Sequence, residues 1–478
     1  MDRKRYARGG ILSSRVLAAL AAVILTSSCL PQPAPTRPTR NGLSEVQVYL
    51  QPVPPEARRI AWTLGDLSVV RRDGTRVPLS LRADHYRGSD LEGRQTWLAS
   101  GFVPPDSFSG VSLTFSGASM KGEEGDAALL VPEDPLVIKA PFELAHSEVL
   151  PLFITLDPAG IVDNGFAFSP DFSLALPDRE IASLIGYLTV PGGDRITVFN
   201  RKTLRVIGAV ATGRDPRAMA VDPARSRAYV AVTGDDTVDV IDVFGGGVRE
   251  RIILRSGDEP VDLALSGDGQ ALLTANYASG TISVIDPLQA VETDRIEVGR
   301  GPTSVIVNRN GTRAYVTCSL SGTLSVIDLS TGSLSATLTI EETTPLAAAL
   351  DAKEEMLFVV GPNSPNLTVI DTGALTVMGR IYVGNGSVCI AVDELSGFAY
   401  VGRESSSEVA VVDPSVLLPV DYIGLKGAPG HMTVDLQEKA LLVVLPGMRT
   451  LQKVDLVSRR IMAEMELDGA PSEVAVIE

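Results

Sequence analysis

Three features of the 478-residue sequence predict an all-β chain, an N-terminal antiparallel β-sandwich followed by a seven-bladed β-propeller closed by the C-terminal strand. The first is a repeat. Pro216, Pro260, Pro302, Pro345, Ser387, Pro429 and Pro471 mark intervals of 44, 42, 43, 42, 42 and 42 residues, and each marker opens an apolar run. The second is composition, since aromatic residues are only 5% while 44 glycines and 31 prolines supply turns for many short strands. The third is period-2 alternation with frequent breakers before the repeats begin.

The elements follow in order along the chain. Arg3, Lys4, Arg5 and Arg8 form a basic start, and Val16–Leu25 is an unbroken apolar run. Ten apolar residues are too few to cross a hydrocarbon core of ~30 Å as a helix, so residues 1–29 read as an export signal rather than an anchor. Thr26, Ser27 and Ser28 lead into Cys29. This segment resembles a bacterial lipoprotein signal, in which the cysteine after a short small-residue box carries the lipid. It departs from that pattern at Thr26, where a leucine is usual. The resemblance implies lipidation at Cys29 and a membrane-anchored lipoprotein of the bacterial cell envelope. Residues 30–41 (LPQPAPTRPTRN) suit a Pro-rich tether, and Leu30 beside the cysteine favours the outer membrane or cell surface.

Residues 42–176 carry the apolar runs Val46–Leu50, Leu67–Val70, Val111–Phe115 and Leu150–Leu156 between Gly, Pro and Asp clusters. No amphipathic helix of useful length interrupts them, which argues for the sandwich. The stretch Ser107–Phe115, then Val131-Pro132 and Phe153–Asp157, resembles a bacterial domain of unknown function found behind lipoprotein signals. That resemblance implies a transthyretin-like sandwich and no activity. Residues 177–183 read as a linker.

From residue 184 to 478 the spacing becomes strict. Thirteen residues past each of the first six markers lies the middle of a second strand: Tyr229, Leu273, Tyr315, Phe358, Tyr400, Leu442. Twenty-six residues past them a third strand ends in aspartate, from Asp242 to Asp455. Length varies only in the outermost strand or the link beyond it, as expected when three strands are locked in register by packing on both faces. Four strands in 40–45 residues specify a propeller blade. Tyr187 and Asn200 occupy the repeat positions of a first blade that lacks an inner strand, because Pro177 and Asp178-Arg179-Glu180 spoil the segment before it. Pro471–Ile477 supplies that strand and closes the ring. Ala314-Tyr315-Val316-Thr317, Leu273-Thr274-Ala275-Asn276, Ser283–Asp286 and Ser325–Asp328 resemble the motifs of YVTN-type seven-bladed propellers. The resemblance implies a fold and an envelope setting, with structural motif residues.

Function is less legible. Fifty-eight acids against 42 bases give a net charge of −16, which repels nucleic acid. No GxSxG, HExxH, Walker or CxxC pattern occurs. His431 is the sole histidine of the repeats, which excludes bis-histidine haem ligation and a three-histidine zinc site there. The starts of the inner strands converge on the channel mouth and bring Arg217, Asp262, Ser304, Ala347, Cys389, His431 and Glu473 together. Arg217, Asp262, His431 and Glu473 are the ligand candidates, although polar residues that merely end strands would look the same. Asp235-Asp236 and Ser405–Glu408 read as exposed hairpin tips, Cys318 and Cys389 as buried small apolar residues. The expectation is a non-enzymatic recognition or scaffold module with no catalytic residue, metal or cofactor, binding a protein or glycan partner on the propeller face. Two alternatives stand beside it, a metal-assisted lactonase-like hydrolase at the mouth and a structural surface-layer component. For the latter the sequence shows no exposed apolar stripe.

Overall fold

The computed structural model describes residues 42–477 except Glu124, 159–160, 178–183 and 244–245. The signal, Cys29 and the tether lie outside the described residues, as does the linker beyond Pro177. Gly42–Glu478 forms one compact unit.

The N-terminal body packs two sheets face to face. One orders Phe172–Ala175, Val149–Leu156, Ser44–Leu50, Thr96–Val103 and Ser80–Leu81. The other is built on the long pair Ile60–Arg71 and Asp106–Lys121, with shorter strands on both sides. Trp62, Phe108, Leu113 and Leu152 fill the space between, each at most 2% exposed. All four apolar runs read from the sequence lie inside strands. One pairing departs from the antiparallel expectation: Ser44–Leu50 runs parallel to Val149–Leu156. These strands are a hundred residues apart, far enough for the intervening chain to build the second sheet and return in the same direction. Alternation reports which residues face inward and is blind to strand direction.

The repeats form seven four-stranded antiparallel sheets. The second blade is representative, with Pro216–Asp222, Arg227–Val232, Thr237–Asp242 and Gly247–Ile253 from centre to rim. Its second strand buries five of six residues, because blades pack on both sides. At roughly 1.5–3 kcal/mol per buried Val, Leu or Ile, such strands supply most of the driving force. The turn into the third strand needs a left-handed residue, met by Asp194, Asp236 and Arg449 or by Gly280 and Gly322, with φ between 49° and 70°. The repeated aspartates cap the turn after that strand: Asp286 Oδ1 accepts from the Leu288 and Gln289 amides at 2.8 and 3.0 Å, and Asp371 does the same for Gly373 and Ala374.

The ring closes where the sequence placed the closure. Val474–Val476 pairs antiparallel with Ile185–Val190, Leu188 opposite Val474, and touches the inner strands of both flanking blades. The strand is shorter than the Pro471–Ile477 run, because Ser472 and Glu473 turn to bond Thr189 instead.

The sandwich sits on the rim at this seam. Tyr49, Trp97 and Phe153 share one buried cluster with Leu188, Phe199, Leu442 and Met465 of the first and last blades. The Gln95 amide pairs with both backbone groups of Val206, at 3.0 and 2.9 Å, along the outer strand of the first blade. Arg195, 2% exposed, pairs with Glu45 of the sandwich at 3.1 Å and with Asp468 after the last blade. Gln47 donates to the same Asp468 at 2.6 Å.

Candidate functional site

The inner strands begin at their marker residues or two to three places past them, at the channel mouth. The seven residues named from the sequence, Arg217 to Glu473, all line one cavity of about 620 Å³ there. A second cavity of about 590 Å³ opens on the other end of the channel and shares Ile390, His431 and Glu473 with the first. Sandwich residues line neither cavity.

Within the mouth three side chains share a role that strand-level reading missed. Each inner strand has a ladder neighbour on one side only, and two of them start irregularly, with register shifts at Pro216/Met219 and Pro302/Ser304; the amide three places past the marker bonds across to the adjoining blade in three steps of the ring. A polar side chain two places past the preceding marker takes it. Glu473 Oε1 accepts from the Met219 amide at 3.1 Å, and Asp262 Oδ2 from the Val305 amide at 2.7 Å. His431 Nδ1 lies 3.3 Å from the Val474 amide as acceptor, which places the ring proton on Nε2. At the other steps that position holds Ala218, Ser304, Ala347 or Cys389. The signal was available in the repeat alignment, as a polar side chain in a column otherwise filled by small ones.

These groups stitch blade to blade and still face the channel, since each is half-buried. Burial pushes the Asp262 carboxyl up to about 6, although the Val305 and Leu263 amides oppose this. Burial and the neighbouring Asp262 charge hold Glu473 well above the usual carboxylate range. Burial alone lowers His431 to about 4. Arg217 reaches the mouth but gives its guanidinium to Asp215 at 3.1 Å. Among the described residues no three His, Cys, Asp or Glu side chains lie together as a metal site.

The remaining candidates resolve into structure. Asp235 and Asp236 are not free decorations. Asp235 accepts from the Arg214 amide and guanidinium, and Asp236 from the Gly257 and Glu259 amides of the next blade. In the other tip Arg403 holds Ser406 at 3.0 Å and Glu408 at 3.5 Å. Cys318 and Cys389 are buried free thiols, and burial pushes Cys389 up to about 12. No described helix is long and apolar enough to cross a membrane.

Residues 212–352 match the model of the YNCE-like beta-propeller family. No curated protein matches the chain. Among solved structures, a functionally unknown protein from Desulfotomaculum acetoxidans DSM 771 aligns with a TM-score of 0.55 and 18% identity, covering 62% of this chain and 99% of that one. Hydrazine synthase from Kuenenia stuttgartiensis aligns with a TM-score of 0.50 and 18% identity, over 60% and 94% of the two chains. At such identity these likenesses concern the fold.

Proposed function

We propose, from a repeat region that is a seven-bladed propeller of the YVTN type, that this protein is a lipid-anchored recognition module of the bacterial cell envelope. It binds a protein or glycan partner at the channel mouth, without catalysis. The observation that carries the reading is the placement of the sandwich on the rim, which leaves both ends of the channel to propeller residues alone. A stitched ring presents such a mouth with little ordering cost on binding. The acidic chain favours a basic or neutral partner, with association that weakens as salt rises. The basic, apolar and small-residue run ending at Cys29 supports export and lipidation, with the outer membrane or cell surface as the destination.

In-cell cross-linking of the tagged chain tests the binding claim. Ala347 lines the mouth and has none of the stitching bonds, so Ala347→Arg obstructs it while the ring stays closed. A near-stoichiometric partner recovered with wild type and lost with Ala347→Arg supports the reading. Equal recovery with both, or no partner at all, overturns it. For the anchor, Cys29→Ser releases the protein from membranes, and unchanged retention of a wild type bearing no fatty acid refutes lipidation.

A further inference from the structure

The outermost strand of each blade is an edge, and edges in soluble proteins carry charge to prevent association. Two blades largely follow that rule: Arg249, Glu250 and Arg251 face solvent on the second and Asp294 and Glu297 on the third, each beside a single exposed apolar side chain, Ile253 and Val291. The first blade breaks it with Arg205-Val-Ile-Gly-Ala-Val-Ala211, and there the sandwich covers the rim. On the first blade, then, the most apolar rim strand lies under another part of the chain.

The fifth and sixth blades break the rule with none of the described residues over them. Thr376–Tyr382 exposes Val377, Met378 and Tyr382, and Leu418–Gly424 exposes Leu418, Val420 and Tyr422, from 40% to 68% of each residue. The two strands touch, and Leu417 stands over Gly379 of the neighbouring strand. Val416 and Leu417, which lead into the second of these strands, extend the patch. Together the exposed fractions amount to on the order of 800 Å², above the ~300–600 Å² of an ordinary monomer's largest patch and equal to one partner's share of a standard interface.

We infer that this rim is where a second copy of the chain docks, making a two-fold pair through the fifth and sixth blades. The local charge permits it. A chain of net charge −16 repels its copies elsewhere, but here Asp421 is paired with Arg459, Glu464 with Lys426, and Arg380 is exposed. A two-fold axis sets the same apolar side chains against each other, the self-complementary case. Pro419 withdraws one amide from the edge, so the pair is held by side-chain packing rather than by extension of the sheet. Both channel mouths stay free in such a pair, since none of these residues lines them.

Cysteine cross-linking of the full chain in cells tests this, because Cys318 and Cys389 are buried and the unsubstituted chain reports any background from Cys29. Tyr422→Cys with a short bis-maleimide gives a band at twice the chain mass, and Glu297→Cys, exposed on the third blade, does not. Adding Val420→Glu to Tyr422→Cys lowers that band at least tenfold, while adding Ala347→Arg leaves it unchanged, which separates this surface from the channel mouth. No double-mass band from Tyr422→Cys overturns the inference, as does a band whose added mass belongs to another protein, or one that survives Val420→Glu.

Discussion

Arg195→Met should unlatch the sandwich from the ring. Arg195 opens the third strand of the first blade and is 3% exposed in its side chain, with Glu45 at 8% and Asp468 at 4%. Burial opposes its charge, yet Asp468 and Glu45 together more than offset this and hold the guanidinium protonated. Methionine fills much of the same volume, so the loss is electrostatic: two like charges remain buried without their cation. Removing one member of such a set costs about 3–5 kcal/mol. At ~2 °C per kcal/mol for a body of this size, the melting temperature should fall by roughly 6–10 °C. Arg214→Met is the control. Its pair with Asp235 is exposed, 72% on the arginine side, so its loss should leave the melting temperature nearly unchanged. Adding Glu45→Gln and Asp468→Asn should restore most of the loss at pH 7. A melting temperature for Arg195→Met within 2 °C of wild type would refute the reasoning.

Three further outcomes follow from the ring. Asp262, raised to about 6, lends stability that is complete below its unfolded value near 4 and lost as pH rises through 6, and Glu473, held well above the usual carboxylate range, acts in the same direction. His431, lowered from 6.5 to about 4, lends stability present above 6.5 and lost as pH falls toward 4. Between pH 4.5 and 6.5 the slopes oppose, so Asp262→Asn should make melting climb more steeply with pH than in wild type, and His431→Gln less steeply, each by about 1–2 kcal/mol across the range after screening by channel water; parallel curves would exclude the assignment. Deleting residues 471–478 removes the closing strand, the Glu473 bond to Met219 and the Arg201 bond to the Ile477 carbonyl, and the truncated chain should melt far lower or fail to fold, an unchanged melting temperature being incompatible with this closure. Gly186→Val drives a Cβ into the ring of Phe199 and should cost about 2–3 kcal/mol, measured by denaturant unfolding; a cost below ~0.5 kcal/mol would show that the ring can move aside.

The blades and their closure were legible in the sequence because they are local and repeated. Each blade is a meander of neighbouring strands, so pattern at spacings of 13 and 26 residues encodes register directly, and the spoiled run at Pro177 against the good one at Val474 told which strand closes the ring. The mouth residues were legible as a group for the same reason. Their bonds were not. Whether Glu473 meets water or the Met219 amide depends on a register shift in a strand 254 positions away, and no one-dimensional pattern records that distance. The parallel pairing of Ser44–Leu50 with Val149–Leu156, the Arg195 cluster and the bare rim of the fifth and sixth blades share that character. Leu418, Val420 and Tyr422 read along the chain as an ordinary alternating strand, and Val206 to Val210 as another. Only the tertiary structure decides that one is roofed by the sandwich and the other stands open, because burial is set by what the rest of the chain places above a surface.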